Sequence, residues 1–251
     1  MQQARVIVTD YLEEPLNAER EILGDLAEVR ALQATSEDHL LERTKDADAL
    51  LVYHFVNLTA RVIEQLEHCR IIVRCGVGYD NVDVDAARRC AVPVANVPDY
   101  GTEEVADSAL GMILSLTRGI HRMQVRARAG DTPWSPELAR PLYRLRGRTL
   151  GIVGLGRIGS ALALRAKAVG FKVSFHDPYL PDGMDKALGI LRVESLEELL
   201  EQSQVLSIHC PGTQETNELI GKRELDLLPE GAYLVNTARG SIVNENAVVD
   251  L

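Results

Sequence analysis

The stretch that decides the fold is residues 149–177, TLGIVGLGRIGSALALRAKAVGFKVSFHD. It opens with an apolar strand pattern, continues as a helix to about Val169 and closes with a second strand. Gly154, Gly156 and Gly159 form GxGxxG directly after the first strand and at the start of the helix. GxGxxG alone is a weak match, but in this context it predicts a dinucleotide-binding βαβ unit.

The three glycines and a later acid have separate tasks in such a unit. Gly154 allows the tight turn, Gly156 lets the backbone approach a pyrophosphate, and Gly159 brings the helix close to the strand. The helix N-terminus offers N–H groups and partial positive charge to the phosphates. Asp177 lies close to the spacing of about 20 residues expected for an acid that binds ribose hydroxyls. Its carboxylate repels a 2′-phosphate and no arginine immediately follows it, which predicts NAD rather than NADP. The alternative is an ordinary βα turn in which Asp177 is a cap.

Short β-branched runs alternate with amphipathic stretches on both sides of this unit. Strands are predicted at 5–10, 27–32, 49–54, 70–76 and 92–97, and again at 172–177, 205–210 and 232–237. Helices are predicted at 18–26, at 36–47 with Ser36 as its cap, at 59–67, and from Thr102 through Ile120, before an arm near Pro133 and Pro136. This rhythm predicts an α/β protein with two doubly wound parallel sheets and a domain boundary near Val97.

Composition narrows the classes of protein and partner. The 251 residues are 46% hydrophobic and 25% charged, with a net charge of −10, which argues against general affinity for nucleic acid or anionic membranes. No uncharged apolar run reaches the roughly 20 residues of a membrane helix, and no apolar leader follows Met1. The four cysteines lack metal-ligand spacing, so we predict reduced thiols, no metal site and a cytoplasmic location. The arginine-rich stretch between residues 118 and 148 favours a solvated or subunit-facing helix and arm over a polyanion site.

A second glycine-containing turn lies in RCGVGYDNVDVDAA, residues 74–87. Because it follows a strand, the backbone N–H groups of Val77 and Gly78 are candidates to face a bound anion. Asp80, Asn81 and Asp83 are predicted to cap the next helix. The alternative is a turn and a cap without a ligand.

Six stretches that occur in order carry a resemblance to a known family: GVGYDNVD, NVPDYGTEEVADSAL, GIVGLGRIG, HDPY, SIHCPGTQETNELI and GAYLVNTARGSIVNENAV. Together they resemble the D-isomer-specific 2-hydroxyacid dehydrogenases over essentially the whole chain. VYH (52–54), RIIVRCGVGYDNVD, ALRAKAVGF and DPYLPDG resemble the branch that includes the C-terminal-binding-protein corepressors. The resemblance implies two flavodoxin-like domains with NAD and substrate in the cleft between them. Residues 1–97 would be the N-terminal part of the substrate-binding (lid) domain, and 98–251 an incomplete NAD-binding Rossmann domain.

The resemblance also implies roles for individual residues. Val77 and Gly78 would hold the substrate carboxylate through backbone N–H groups. The pyrophosphate of the cofactor would contact Leu155, Gly156, Arg157 and Ile158, and the adenosine ribose would contact Asp177. The adenine and phosphate side would be lined by Cys210, Pro211 and Thr216. Beside the nicotinamide would lie Thr237, Ala238 and Arg239. Arg239 matches the catalytic arginine of the family.

The chemistry of a guanidinium suits that last role. A planar, permanently charged group clamps a carboxylate and polarises the adjacent carbonyl as hydride arrives. The family's proton donor is a Glu–His pair a short way beyond the arginine motif, and the chain ends before it. His54, at the C-terminal end of a strand, is our candidate for a substrate-side contact; the alternative is a partly buried loop histidine. His209 is predicted on the adenine side.

The leading functional hypothesis is NAD-dependent hydride transfer to or from a small 2-oxo or 2-hydroxy acid. The alternatives are an NAD(H)-sensing corepressor that binds partner peptides through its N-terminal domain, and a cofactor-binding pseudoenzyme. We also predict a homodimer formed through the helix and arm at 102–148. The missing Glu–His pair suggests a piece of a longer protein; an intact mass of 27.6 kDa would contradict that expectation.

Overall fold

A computed structural model describes residues 3–130, 133 and 135–249. The chain divides into two compact units, Met1–Tyr100 and Gly101–Leu251. That residues 1–97 bind the substrate and residues 98–251 bind NAD stays a prediction.

The first unit is built on a five-stranded parallel sheet, as predicted. The strand order is β2-β1-β3-β4-β5. The strands are β1 (Ala4–Val8), β2 (Ala27–Ala31), β3 (Ala49–Val52), β4 (Ile71–Arg74) and β5 (Val94–Asn96). Buried aliphatic side chains on the central strands, such as Ile7, Leu50 and Ile72, form the core with the covering helices. The chain passes from one side of β1 to the other after β2, so the carboxyl ends of β1 and β3 form the topological switch point.

The helices of the first unit are shorter than the sequence indicated. They are α1 (Asn17–Leu23), followed by a 3-10 turn (Gly24–Leu26), α2 (Asp38–Leu41), α3 (Ala60–Ile63) and α4 (Val84–Arg89). The helix predicted at 36–47 is wrong in length, because only Asp38–Leu41 is helical. The cap prediction for Ser36 is also wrong, since the N-cap of α2 is Glu37.

Capping of α4 follows the sequence in part. Asp83 is the N-cap, and its Oδ1 accepts from the N–H of Ala86 at 2.8 Å, as predicted. Asn81 is not a cap. Its amide donates instead to the carbonyls of Tyr53 and Val56, each at 3.0 Å. A polar residue before a helix therefore has a second possible task, which is to hold a distant loop.

The second unit is built on another five-stranded parallel sheet, with the order β10-β9-β6-β7-β8. The strands are β6 (Thr149–Val153), β7 (Lys172–His176), β8 (Leu191–Arg192), β9 (Val205–Ile208) and β10 (Tyr233–Asn236). The order reverses at β6, which has β7 on one side and β9 on the other, so its switch point is the crevice between the ends of β6 and β9. The doubly wound α/β fold class is confirmed for both units.

Helices cover both faces of this sheet. They are α5 (Thr102–Thr117), α6 (Ile120–Ala129), α7 (Arg157–Ala168), α8 (Met184–Leu188), α9 (Leu196–Gln202), α10 (Lys222–Asp226) and α11 (Glu245–Val249), with 3-10 turns at Pro136–Ala139 and Gly240–Ile242. The single helix predicted from Thr102 through Ile120 is wrong at its end. Gly119 has φ +64°, and a Cβ there would lie 2.5 Å from the carbonyl oxygen of Ala139, so the chain turns and starts α6.

Membrane-spanning helices and metal sites were searched for among the described residues. Among their helices, none combines the length and the apolar character that a membrane crossing requires. Within the same ranges no group of histidine, cysteine or acidic side chains is arranged to hold a metal ion. Part of the arm predicted near Pro133 and Pro136 lies outside the described residues.

Candidate functional site

The glycine turn after β6 lies at the switch point of the second unit. Gly154 has φ +86°, a conformation that glycine adopts readily. A Cβ at this position would lie 2.6 Å from the backbone nitrogen of Cys210, which follows β9. Gly159, in the first turn of α7, would place a Cβ 2.3 Å from the carbonyl oxygen of Gly154. Both glycines are therefore required by the fold itself.

Gly156 differs from its two neighbours in the motif. Its φ is −68°, which any residue adopts. Among the described residues other than its chain neighbours, no atom lies within 4 Å of an ideal Cβ. The fold gives no reason for glycine here. The open space lies at the N-cap of α7, where a Cβ would obstruct an approaching ligand. This is the fit expected of a pyrophosphate site.

The N-terminus of α7 supports the same fit. The helix runs for 12 residues from Arg157, and no side chain in the described part of the chain caps it. Its first N–H groups lack intrahelical partners, and together with the helix dipole they attract an anion. Arg157 is exposed, Ile158 is half-buried and Leu155 is buried, so the four predicted pyrophosphate residues offer mainly backbone groups and one cation. Their contacts with the cofactor stay a prediction.

Asp177 follows β7 and has a task that the sequence did not indicate. One carboxylate oxygen, Oδ2, accepts from the N–H of Leu155 at 2.9 Å, and Oδ1 accepts from the N–H of Tyr179 at 3.0 Å. The acid thus braces the glycine turn. Each carboxylate oxygen accepts more than one hydrogen bond, so these contacts leave capacity for ribose hydroxyls.

The loop after β9 carries Cys210, Pro211 and Thr216. Burial raises the pKa of the Cys210 thiol to about 11, so this group is a neutral lining residue at neutral pH. Thr216 Oγ1 donates to the carbonyl of Pro211 at 2.6 Å and accepts from the N–H of Thr213 at 2.8 Å. The hydroxyl therefore closes the loop on itself. The predicted adenine and phosphate contacts of all three residues stay predictions.

His209 provides a pH-dependent part of the stability of this unit. Its Nε2 lies 2.8 Å from Ser207 Oγ, and burial lowers its pKa to about 4. The unfolded chain takes up a proton near pH 6.5, whereas the folded chain does so only near the lower value. The stabilising contribution is therefore complete above pH 6.5 and is lost as the pH falls towards 4.

We expect chemical unfolding to show this difference. Between pH 8 and pH 5 the wild-type free energy of unfolding should fall by on the order of 1–2 kcal/mol more than that of His209→Gln, because glutamine does not titrate. Denaturant titrations of both proteins at the two pH values measure the difference. Parallel pH dependence in the two proteins would contradict the assignment.

Arg239 lies just beyond β10, in a loop held by one side chain. The amide of Asn236 donates to the carbonyl of Arg239 at 2.8 Å and accepts from the N–H of Ala238 at 3.0 Å. Arg239 Nη1 donates to the carbonyl of Ala238 at 2.9 Å. Its Cγ lies 3.0 Å from the position that a Cβ of Gly212 would occupy. Asn236 and Gly212, which the sequence reading missed, therefore position this arginine.

Thr237, beside it, has a polar atom without a partner. Its Oγ1 is buried and makes no hydrogen bond within the part of the chain that the structure describes. Buried hydroxyls are nearly always satisfied by protein, water or ligand groups. The position agrees with the predicted contact to the cofactor, which remains a prediction.

In the first unit, the turn after β4 has the features of an anion site. Within the described residues, the N–H groups of Val77 and Gly78 donate to no backbone carbonyl, and both residues are half-buried. Asn96 Nδ2 donates to the carbonyl of Val77 at 2.7 Å, which holds the turn in place. Donors of this kind suit a carboxylate.

His54 lies beyond β3 and pairs with a residue that the sequence reading missed. Its Nδ1 is 2.9 Å from Arg74 Nη2. Arg74 is 5% exposed, and its guanidinium fills the space over Gly76, where a Cβ would overlap Nη1 at 1.4 Å. The signal available in the sequence was a charged residue that closes an apolar strand. The structure brings His54 and the 76–78 turn to the same sheet edge.

Comparison with known proteins agrees with this geometry. The sequence profile of the D-isomer specific 2-hydroxyacid dehydrogenase NAD-binding domain matches residues 110–251. D-3-phosphoglycerate dehydrogenase of Methanocaldococcus jannaschii is 35% identical over 98% of this chain and 46% of its own length. C-terminal-binding protein 1 of Caenorhabditis elegans is 36% identical over 92% of this chain and 32% of its own length. The chain thus spans less than half the length of both relatives.

A solved structure gives the same result. D-lactate dehydrogenase from Aquifex aeolicus, complexed with NAD and lactic acid, superimposes with a TM-score of 0.88 at 30% identity. The match covers 98% of this chain and 72% of that one. The matched domain is an NAD-binding domain, which agrees with the glycine turn, the open space at Gly156 and the acid at Asp177. The chain therefore belongs to the D-isomer specific 2-hydroxyacid dehydrogenases, and its residues 110–251 match the NAD-binding domain of that family.

Proposed function

We propose that the protein transfers hydride between NAD and a small D-2-hydroxy or 2-oxo acid. The observation that carries the proposal is Arg239, a guanidinium held by the Asn236 loop in an NAD-binding domain of a dehydrogenase family. Hydride addition to a 2-oxo acid develops negative charge on the carbonyl oxygen. A fixed guanidinium beside that oxygen and the neighbouring carboxylate would stabilise this charge.

In the second unit, the backbone at Gly156 and the N-terminus of α7 would hold the pyrophosphate, and Asp177 the adenosine ribose. Thr237 and Ala238 would lie beside the nicotinamide, which supplies or accepts the hydride when bound. The loop after β9, with Cys210, would line the adenine side.

The substrate carboxylate would be held by charge and by backbone donors. Arg239 provides two parallel N–H groups that match a carboxylate and polarise the adjacent carbonyl. In the first unit, the N–H groups of Val77 and Gly78 would bind the same class of anion, and His54 would contact the substrate. The likeness to a D-lactate dehydrogenase complexed with lactic acid supports a small acid of this class.

Oxidation of NADH by the protein produced from its complete coding sequence tests the proposal. Glyoxylate, pyruvate and hydroxypyruvate are offered separately, with acetate as a control that lacks the reducible carbonyl. Turnover with at least one 2-oxo acid is expected. NADH binding without turnover of any 2-oxo acid would overturn the enzymatic role.

A second candidate function rests on the 36% identity to C-terminal-binding protein 1. We propose as the alternative an NAD(H)-sensing corepressor-like protein that binds partner peptides through the first unit. Peptide binding that depends on NADH, in a protein without turnover, would favour this function over the dehydrogenase. Turnover without peptide binding would favour the first proposal.

We also propose that the protein forms a homodimer through α5, α6 and the following arm. Exposed apolar side chains along these helices, Met112, Ile120 and Val125, support this surface. Sedimentation equilibrium of the full chain measures the state, and a monomer at micromolar concentration would contradict it.

Asp177 is expected to set the preference for NADH over NADPH. Asp177→Asn removes the charge that repels a 2′-phosphate. The dissociation constant of NADPH divided by that of NADH should therefore fall by about tenfold, or roughly 1.4 kcal/mol. Titration of each cofactor, followed by protein fluorescence or calorimetry, measures this ratio. Asp182→Asn is the matched control, because Asp182 is a fully exposed acid near Arg192. An unchanged ratio in Asp177→Asn would remove the proposed ribose contact.

A further inference from the structure

A buried acid at the switch point of the first unit has no assigned task. Asp10 follows β1, is 0% exposed and accepts hydrogen bonds from three consecutive backbone N–H groups. The donors are Tyr53 at 3.0 Å, His54 at 2.8 Å and Phe55 at 2.5 Å. Thr9 Oγ1 also donates to it, at 2.5 Å. Burying a carboxylate is costly, and these donors offset the cost.

The other side of the same segment is held as well. Asn81 donates to the carbonyls of Tyr53 and Val56, so one side chain binds the carbonyl groups and Asp10 binds the N–H groups. Residues 53–56 belong to no helix or strand. Two side chains from other parts of the unit therefore replace the regular hydrogen bonding of this segment.

This arrangement fixes the ring of His54 as well as its backbone. Arg74 also donates to Asn81 Oδ1, at 3.5 Å, so the guanidinium is tied to the same network. A guanidinium only donates, which makes His54 Nδ1 the acceptor in their contact. The proton of the neutral imidazole is then on Nε2. The tautomer of His54 is thus set by Arg74, and the distance between them is set by the backbone that Asp10 holds.

We propose that Asp10 is the positioning residue of the substrate site in the first unit, acting through His54 and its Arg74 contact. The inference rests on the proposed dehydrogenase function, in which His54 contacts the acid. Asp10 itself touches no substrate. Its location agrees with the rule that ligands of open α/β sheets bind at the switch point.

Asp10→Asn in the protein produced from its complete coding sequence tests this role. An amide offers one acceptor oxygen where the carboxylate offers two, so at least one of the three backbone donors loses its partner. We expect KM for the 2-oxo acid to rise by about tenfold or more, since small displacements of positioned groups have large effects. The dissociation constant of NADH should not change. In nitrogen NMR spectra, the His54 ring should lose the single Nε2–H tautomer of the wild type.

Two further variants keep the test decisive. Asp48→Asn is the matched control. The Asp48 carboxylate also accepts from a backbone N–H, that of Arg5, but Asp48 precedes β3 and so lies away from the loop that follows this strand. It should leave KM and the His54 tautomer unchanged. Thr9→Val removes one bond to Asp10 with little change in shape, and it should raise KM by a smaller factor even if Asp10→Asn does not fold.

The outcomes separate this proposal from the proposed function. Wild-type KM and an unchanged tautomer in folded Asp10→Asn, or in Thr9→Val if Asp10→Asn does not fold, would overturn the positioning role. A wild-type protein without turnover would refute the dehydrogenase function, whereas the tautomer measurement would still test whether Asp10 positions His54.

Discussion

Replacement of Arg239 by alanine should reduce turnover of the 2-oxo acid by about 100- to 1000-fold, the effect of removing one charge-stabilising group from a transition state. NADH binding should be retained. The loop is held by the Asn236 amide through backbone atoms, and these bonds do not involve the arginine side chain. Steady-state kinetics and NADH titration of the same preparation measure both quantities.

Two variants define what the guanidinium contributes. Arg239→Lys keeps the charge but loses the planar pair of donors, so we expect it to recover only part of the lost turnover. Arg223→Ala is the control, because Arg223 is an exposed arginine paired with Glu197. Equal turnover in Arg239→Ala and Arg223→Ala would remove Arg239 from the reaction.

Alanine substitutions at two glycines of the GxGxxG motif should have different effects, one on stability and one on NADH binding. Gly159→Ala should destabilise the protein by about 2–3 kcal/mol, because its Cβ meets the carbonyl oxygen of Gly154 and must displace backbone. Gly156→Ala should leave the free energy of unfolding within about 0.5 kcal/mol of wild type. Its methyl group enters open space, where it should weaken NADH binding by tenfold or more, roughly 1.4 kcal/mol.

Gly111→Ala is the matched control for both changes. Gly111 lies within α5, and no atom of the described residues outside its own helix backbone lies within 4 Å of its ideal Cβ. This variant should gain about 0.5–1 kcal/mol from helix propensity and bind NADH normally. Denaturant unfolding and NADH titration of the three variants provide the comparison. Normal NADH binding by Gly156→Ala would contradict the pyrophosphate site.

Local patterns made much of the fold predictable. β-branched runs marked the strands, and GxGxxG followed by Asp177 marked the cofactor unit within 30 consecutive residues. The errors arose where distant contacts decide the outcome. Gly119 ends α5 because the chain near Ala139 lies against it, and Asn81 holds the loop of Tyr53 instead of capping α4.

The residues of the candidate site also fall into those that local motifs predict and those that only distant contacts reveal. Residues of the second unit were predicted because their motifs are contiguous in the sequence. Asp10 bonds to residues 43 to 45 positions away, and no spacing rule connects an acid after β1 with a loop after β3. Gly212 likewise makes room for Arg239 across two different loops. Such pairs become visible only when the strand order is known.

The segment 53–56 has a consequence for the thermodynamics of binding. Ordering the backbone of a flexible loop costs roughly 1–2 kcal/mol per residue, a cost that binding must overcome when the loop is ordered only in the complex. Here the segment is held from within the unit, by Asp10 on its N–H groups and by Asn81 on its carbonyl groups. That entropy is lost on folding, so a small acid with few atoms to contact does not have to supply it.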